Sequence, residues 1–139
     1  MDIWILLSLI TVILWGLWGL LLKVSSNILG NWMLTYIFSY IFSIALALAL
    51  IVIVKPHNIP INLGSLAAVV GGLFGTLGYI LFLKALEKGP AALVVPITAL
   101  YPAITAILAY IALKEQITTT QAVGIALAII AVILISIQK

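Results

Sequence analysis

Ala126-Leu127-Ala128-Ile129-Ile130-Ala131-Val132-Ile133-Leu134-Ile135 carries no polar side chain on any face. A membrane β-strand would alternate polar and apolar residues over about ten positions, and this run does not. Inside hydrocarbon each backbone N–H and C=O must be satisfied from within the segment, and an isolated run of this kind does so only as a helix. Extended outward to 119–137, the run approaches the roughly 20 apolar residues that cross a hydrocarbon core of about 30 Å.

The same pattern recurs four times toward the N-terminus, which predicts an all-α integral membrane protein of five transmembrane helices. The spans are expected at 3–22, 33–54, 63–86, 91–113 and 119–137. Lys23 and Ser25-Ser26-Asn27 follow the first, and Lys55-Pro56 ends the second, where proline stops a helix. Lys84 stands in the last turn of the third, placed to snorkel its amine to the interface. Glu87-Lys88-Gly89-Pro90 and Lys114-Glu115-Gln116 separate the remaining spans. Such short connections make neighbouring helices antiparallel and leave no room for a soluble domain, so residues 1–139 read as one membrane domain. The first segment lacks a basic n-region and has four spans behind it, so it reads as a retained helix.

Composition agrees. Of 139 residues, 66% are hydrophobic and 6% charged, too few polar groups to clothe a water-soluble core. Six lysines, with no arginine, are too sparse and scattered for a nucleic-acid surface. The absence of cysteine excludes disulfides and thiolate chemistry, and lone His57 reads as a solvated loop residue, so neither metal nor cofactor is expected. Five crossings put the two ends of the sequence on opposite sides. Lys55 and Lys114 lie on the N-terminal side; Lys23, Lys84, Lys88 and Lys139 lie on the other. That excess weakly favours a cytoplasmic C-terminus in the cell membrane and leaves insertion in both orientations open.

Small residues form stripes. Ala67, Gly71, Gly75 and Gly78 recur at intervals of four, four and three, and Gly124 with Ala128 repeats the device in the last span. Such spacing lets helix backbones approach closely, either within one subunit or between subunits. Polar and aromatic residues form stripes too: Trp4, Ser8, Thr11, Trp15 and Trp18 in the first span, Tyr36, Tyr40 and Ser43 in the second. Trp4 and Tyr36 suit interfacial anchors. Trp15, Thr76, Tyr79, Thr98, Tyr101 and Thr105 lie deeper, where a hydroxyl or indole N–H seeks a partner. Helix-to-helix hydrogen bonds and a shared, water-accessible aromatic cavity both satisfy that need.

Prolines in the fourth span bear on the choice. Pro102 cannot donate to the carbonyl of Thr98, nor Pro96 to that of Ala92, so a helix containing both kinks and leaves acceptors near Thr98 and Tyr101. Pro96 is harmless if the helix starts late. Irregular backbone at membrane depth is tolerated where it is buried in protein or lines a cavity. No ionisable side chain lies near the middle of any span, which argues against coupling through a central acid and against an intramembrane enzyme. Glu87 and Glu115 sit at span ends beside Lys88 and Lys114.

The sequence resembles a single EamA-type domain of the drug/metabolite transporter superfamily over its whole length. Lys84-Ala85-Leu86-Glu87-Lys88-Gly89, then Pro96-Ile97-Thr98-Ala99-Leu100-Tyr101-Pro102, then Glu115, Thr118, Gln121 and Gly124 carry the likeness, with Trp15-Gly16 and Lys23 nearer the start. The resemblance implies half of a ten-helix inverted-repeat transporter, whose site forms between oppositely oriented halves. It implies an antiparallel homodimer or an inverted five-helix partner. It also carries Trp15, Trp18, Tyr79, Thr98 and Tyr101 over as cavity residues, to which Thr76, Pro102 and Thr105 are added by depth and position. The expected function is export or exchange of a small amino-acid-like or amphipathic solute by alternating access. Lack of arginine and of central charge tells against strongly anionic solutes. A non-transporting membrane subunit and a lipid-carrier flippase component are the alternatives.

Overall fold

The structure is a computed structural model that describes residues 2–56 and 59–137. His57, expected as a loop residue, and Lys139, counted in the charge bias, lie outside the described residues. Among those residues every regular element is helical, and five helical segments are long and apolar enough to cross a membrane. The chain divides into two compact units, 1–88 and 89–139.

The first unit contains α1 (Ile3–Leu29), α2 (Trp32–Val54) and α3 (Leu63–Lys88), each packed against the other two. Helix α1 runs to Leu29, two turns beyond the end expected at residue 22. The polar run at 23–27 does not break it: Lys23 and Ser25 find partners on the neighbouring helices, while Ser26 Oγ is buried without a hydrogen-bond partner. The Lys23 ammonium donates to the carbonyl of Leu86 at 2.6 Å, and Ser25 Oγ lies 3.3 Å from Thr35 Oγ1. Gly30 ends the helix in the left-handed region at φ 59°, a conformation that costs a residue without Cβ nothing. Asn31 then caps α2, its side-chain oxygen accepting from the backbone N–H groups of Met33 and Leu34.

Helix α2 stops at Lys55, which takes φ 46° immediately before Pro56. At the start of α3 the Asn62 side chain accepts from the N–H groups of Gly64 and Ser65, while Ser65 Oγ accepts from the Asn62 N–H at 2.7 Å. This reciprocal cap satisfies donors that the helix start leaves without an intrahelical partner. Buried residues concentrate where α1 and α3 end and α2 begins: Gly19, Leu22 and Ser26 of α1, Thr35 of α2, and Leu83 and Leu86 of α3. Nearby, Lys84 holds its ammonium 4.6 Å from the centre of the Trp32 ring. This contact is worth about 0.5–1 kcal/mol at an exposed site.

The second unit contains α4 (Ala91–Thr98), α5 (Tyr101–Leu108), a π-helical turn at Ala109–Leu113, and α6 (Thr119–Ser136). The span expected as one kinked helix over 91–113 is thus built from three pieces. Pro96 sits inside α4, whereas Pro102 opens α5 after a break at 99–100. Pro102 offers no N–H to the carbonyl of Thr98. The chain tightens instead: Leu100 N–H donates to Ile97 and Ala103 N–H to Leu100. Lys114, at φ 58°, closes the π turn by donating to the Ala109 carbonyl. Thr118 and Gln121 form a reciprocal capping box that starts α6, and α4 and α5 both pack on α6.

Candidate functional site

Most large apolar side chains are exposed, Phe42 at 74% and Ile53 at 75% among them, as lipid-facing positions must be. Against that background most hydroxyls fall into two groups, whereas Ser26 Oγ is buried with no partner. Those of Ser8, Thr11, Thr98, Thr105 and Ser136 each donate to a carbonyl one turn back in their own helix. Such back-bonding removes the cost of a polar group in hydrocarbon without any neighbouring helix. The Ser25–Thr35 and Tyr79–Ser39 pairs instead join different helices.

The Tyr79–Ser39 pair lies within an aromatic cluster. Tyr79 on α3 donates its hydroxyl to Ser39 Oγ on α2 at 2.7 Å, and Ser39 Oγ donates to the carbonyl of Tyr36 at 2.8 Å. The Tyr79 ring centre lies 5.5 Å from that of Trp18, 5.4 Å from Tyr40, 5.8 Å from Tyr36 and 6.5 Å from Phe82. Trp18 also stacks on Phe82 at 5.4 Å with planes 11° apart, and Tyr36 touches Tyr40 at 4.7 Å. Ring pairs at such separations contribute about 0.5–1.5 kcal/mol each beyond the area they bury. Helical spacing accounts for the assembly. Tyr36, Ser39, Tyr40 and Ser43 fall on one face of α2, and Tyr79 and Phe82 on one face of α3.

Trp18, Ser39, Tyr40, Ser43 and Tyr79 line a cavity of about 180 Å³. A larger groove of about 520 Å³ adjoins it along α1 and α2, walled mainly by Leu14, Leu17, Leu21 and Phe38, with the hydroxyls of Ser25, Thr35 and Ser39 along it. Trp18 and Ser39 belong to both.

Of the residues singled out in the sequence, Trp18 and Tyr79 come together here. Thr76 is half-buried on α3, one turn before Tyr79, and lines neither cavity. Trp15 is 56% exposed. Thr98, Tyr101, Pro102 and Thr105 belong to the second unit; there Thr98 Oγ1 donates to the carbonyls of Val94 and Val95, and Tyr101 is 52% exposed. A Cβ built on Gly71, Gly75, Gly78 or Gly124 meets no atom within 4 Å. Ser39 and Phe82 were missed, and Tyr40 and Ser43, noted only as part of a stripe, were not carried forward as cavity candidates. The stripe of Tyr36, Tyr40 and Ser43 was the available signal for α2, and Ser39 completes it one residue away. Phe82 gave none, being one apolar residue among many.

Comparison with known proteins adds a family. The model of the EamA-like transporter family matches residues 2–137. An uncharacterized protein of Methanocaldococcus jannaschii is 34% identical over the full length of both chains. No solved structure is significantly similar.

Proposed function

We propose, from the premise that this chain belongs to the EamA-like transporter family of the drug/metabolite transporter superfamily, that it moves a small amino-acid-like or amphipathic solute across the cell membrane by alternating access. The match of the family model over nearly the whole chain carries this reading. Five spans are an odd number, and the loop lysines favour one orientation only weakly, which supports pairing with an inverted copy or an inverted five-helix partner. The two halves rock about a solute held between them. Trp15, Trp18, Thr76 and Tyr79 of the first unit, and Thr98, Tyr101, Pro102 and Thr105 of the second, are proposed to face the solute. The stripes at Gly71, Gly75, Gly78 and Gly124 are proposed as packing faces.

The test is flux. Purified chain in proteoliposomes should exchange a labelled amphipathic amino acid against its unlabelled form. Trp18→Ala, Trp15→Ala and Tyr101→Ala should each abolish that exchange while helical circular dichroism is preserved. No uptake of any small solute by folded, reconstituted chain would overturn the reading in favour of a non-transporting membrane subunit. Lipid scrambling without solute uptake would reassign it to the flippase alternative.

A further inference from the structure

The cavity on Trp18, Tyr40 and Tyr79 has a polarity that proton counting determines. A serine hydroxyl has one proton, and that of Ser39 goes to the Tyr36 carbonyl, which can only accept. Ser39 Oγ must therefore accept from Tyr79, so the Tyr79 proton is committed as well. What the Tyr79 oxygen retains is lone pairs. The cavity wall thus holds a fixed acceptor beside three aromatic rings. The hydroxyls of Tyr40 and Ser43 can turn either a proton or a lone pair inward, and the Trp18 indole N–H is the one obligate donor on the wall.

No basic side chain lines this cavity. Lys23 stands five residues beyond Trp18, about 8 Å along the helix, and its ammonium is drawn to the Leu86 carbonyl. The acids of this unit are distant as well. Glu87 is eight residues from Tyr79, about 12 Å along α3, and Asp2 is sixteen from Trp18, about 24 Å along α1. An anion entering here would meet no cation. A cation would meet ring faces, whose quadrupoles attract positive charge, and an oxygen free to accept.

We infer that this cavity is an amine site: it takes the ammonium head of a primary organic amine, an N–H donating to the Tyr79 oxygen and the charge held against Trp18, Tyr40 and Tyr79. About 180 Å³ is less than the roughly 300 Å³ at which whole-ligand pockets begin, so the cavity holds the ammonium end and the adjacent carbons. The rest of the molecule extends into the adjoining apolar groove. The inference rests on the transporter reading only in treating this cavity as one that the solute visits. It narrows the solute to amines, and for a zwitterion it makes the amine, not the carboxylate, the group recognised here.

The test is calorimetric binding to the full chain in lipid nanodiscs, with empty nanodiscs as the blank. The probes are 2-phenylethylammonium, its N-trimethyl derivative and 3-phenylpropionate. The primary amine should bind at least tenfold more tightly than the carboxylate. Tyr79→Phe should weaken the primary amine about tenfold or more, the worth of a hydrogen bond to a charged group, and leave the trimethyl compound, which has no N–H, unchanged. If Tyr79→Phe does not fold, Ser39→Ala frees the Tyr79 proton and should narrow the preference for amine over carboxylate. Equal binding of the carboxylate, no binding of either amine, or equal losses for both amines overturns the inference. Flux separates it from the broader reading: amine binding without transport of any solute sinks the transporter and leaves the amine site standing, whereas transport of other solutes without amine binding does the reverse.

Discussion

The Lys23 ammonium, in the last two turns of a helix that the sequence alone would have ended there, reaches across to the carbonyl of Leu86 at 2.6 Å. That carbonyl lies in the last turn of α3, where it has lost its intrahelical donor, and a cation there also meets the negative end of the helix dipole. One contact thus satisfies a stray acceptor, keeps a charge out of lipid and ties α1 to the end of the first unit.

Lys23→Met should therefore cost about 1.5–3 kcal/mol, the worth of a hydrogen bond from a charged donor. Methionine keeps the length of the side chain and removes only the charge and the protons. The checking measurement is thermal unfolding of detergent-solubilised protein, with exposed Lys88→Met as the control expected to shift stability by no more than about 0.5 kcal/mol. Equal losses in both variants would remove the special role of the Leu86 contact.

Pro102 separates α4 from α5 by withholding a donor from Thr98. Pro102→Ala restores the N–H, and the expected result is a continuous helix through 99–100 and a gain of about 1 kcal/mol in stability. Hydrogen exchange at residues 99–103 should slow. If the break serves transport, flux should fall as stability rises.

Gly75 stands in the stripe with Gly71 and Gly78, and a Cβ at any of the three meets nothing within 4 Å. Gly75→Leu is therefore expected to leave the fold of a single chain intact. It should abolish pairing if the stripe is where two copies meet. Photobleaching of singly labelled protein in liposomes reads this directly: wild type bleaches in two steps and the variant in one. Two-step traces from the variant would place the pairing surface elsewhere.

The lysine bias expected to orient the chain is narrow, four against two, so small changes should tip it. Lys84→Gln with Lys88→Gln should favour one orientation, and Lys55→Gln with Lys114→Gln the other, as read by labelling of terminal tags from each side of intact cells. Each variant alone should lose transport, and the two expressed together should regain it. Full activity from either alone would eliminate the inverted pair.

Much of this was legible in sequence because lipid imposes one dominant constraint. Unbroken apolar runs must be helices, and polar residues with glycine and proline mark their ends within a few positions. One departure fell where polar side chains found partners on other helices. Lys23 and Ser25 read as a break, yet α1 passes straight through them, since Leu86 and Thr35 supply what water would have supplied. Thr98 and Thr105 read as residues in search of partners, yet their own helix provides the acceptor one turn back, and depth alone cannot distinguish that case from Tyr79.

The amino-acid sequence by itself determined that the described residues form five helices long and apolar enough to cross a membrane, because hydropathy and backbone satisfaction are local properties of each run. It also carried the family, through short motifs spread along the whole chain. Only the tertiary structure decided which aromatic residues share a wall and which way the protons of Tyr79 and Ser39 point. Those facts depend on the rotation of α1, α2 and α3 about their own axes, and helices apolar on nearly every face have no hydrophobic stripe from which that rotation could be read.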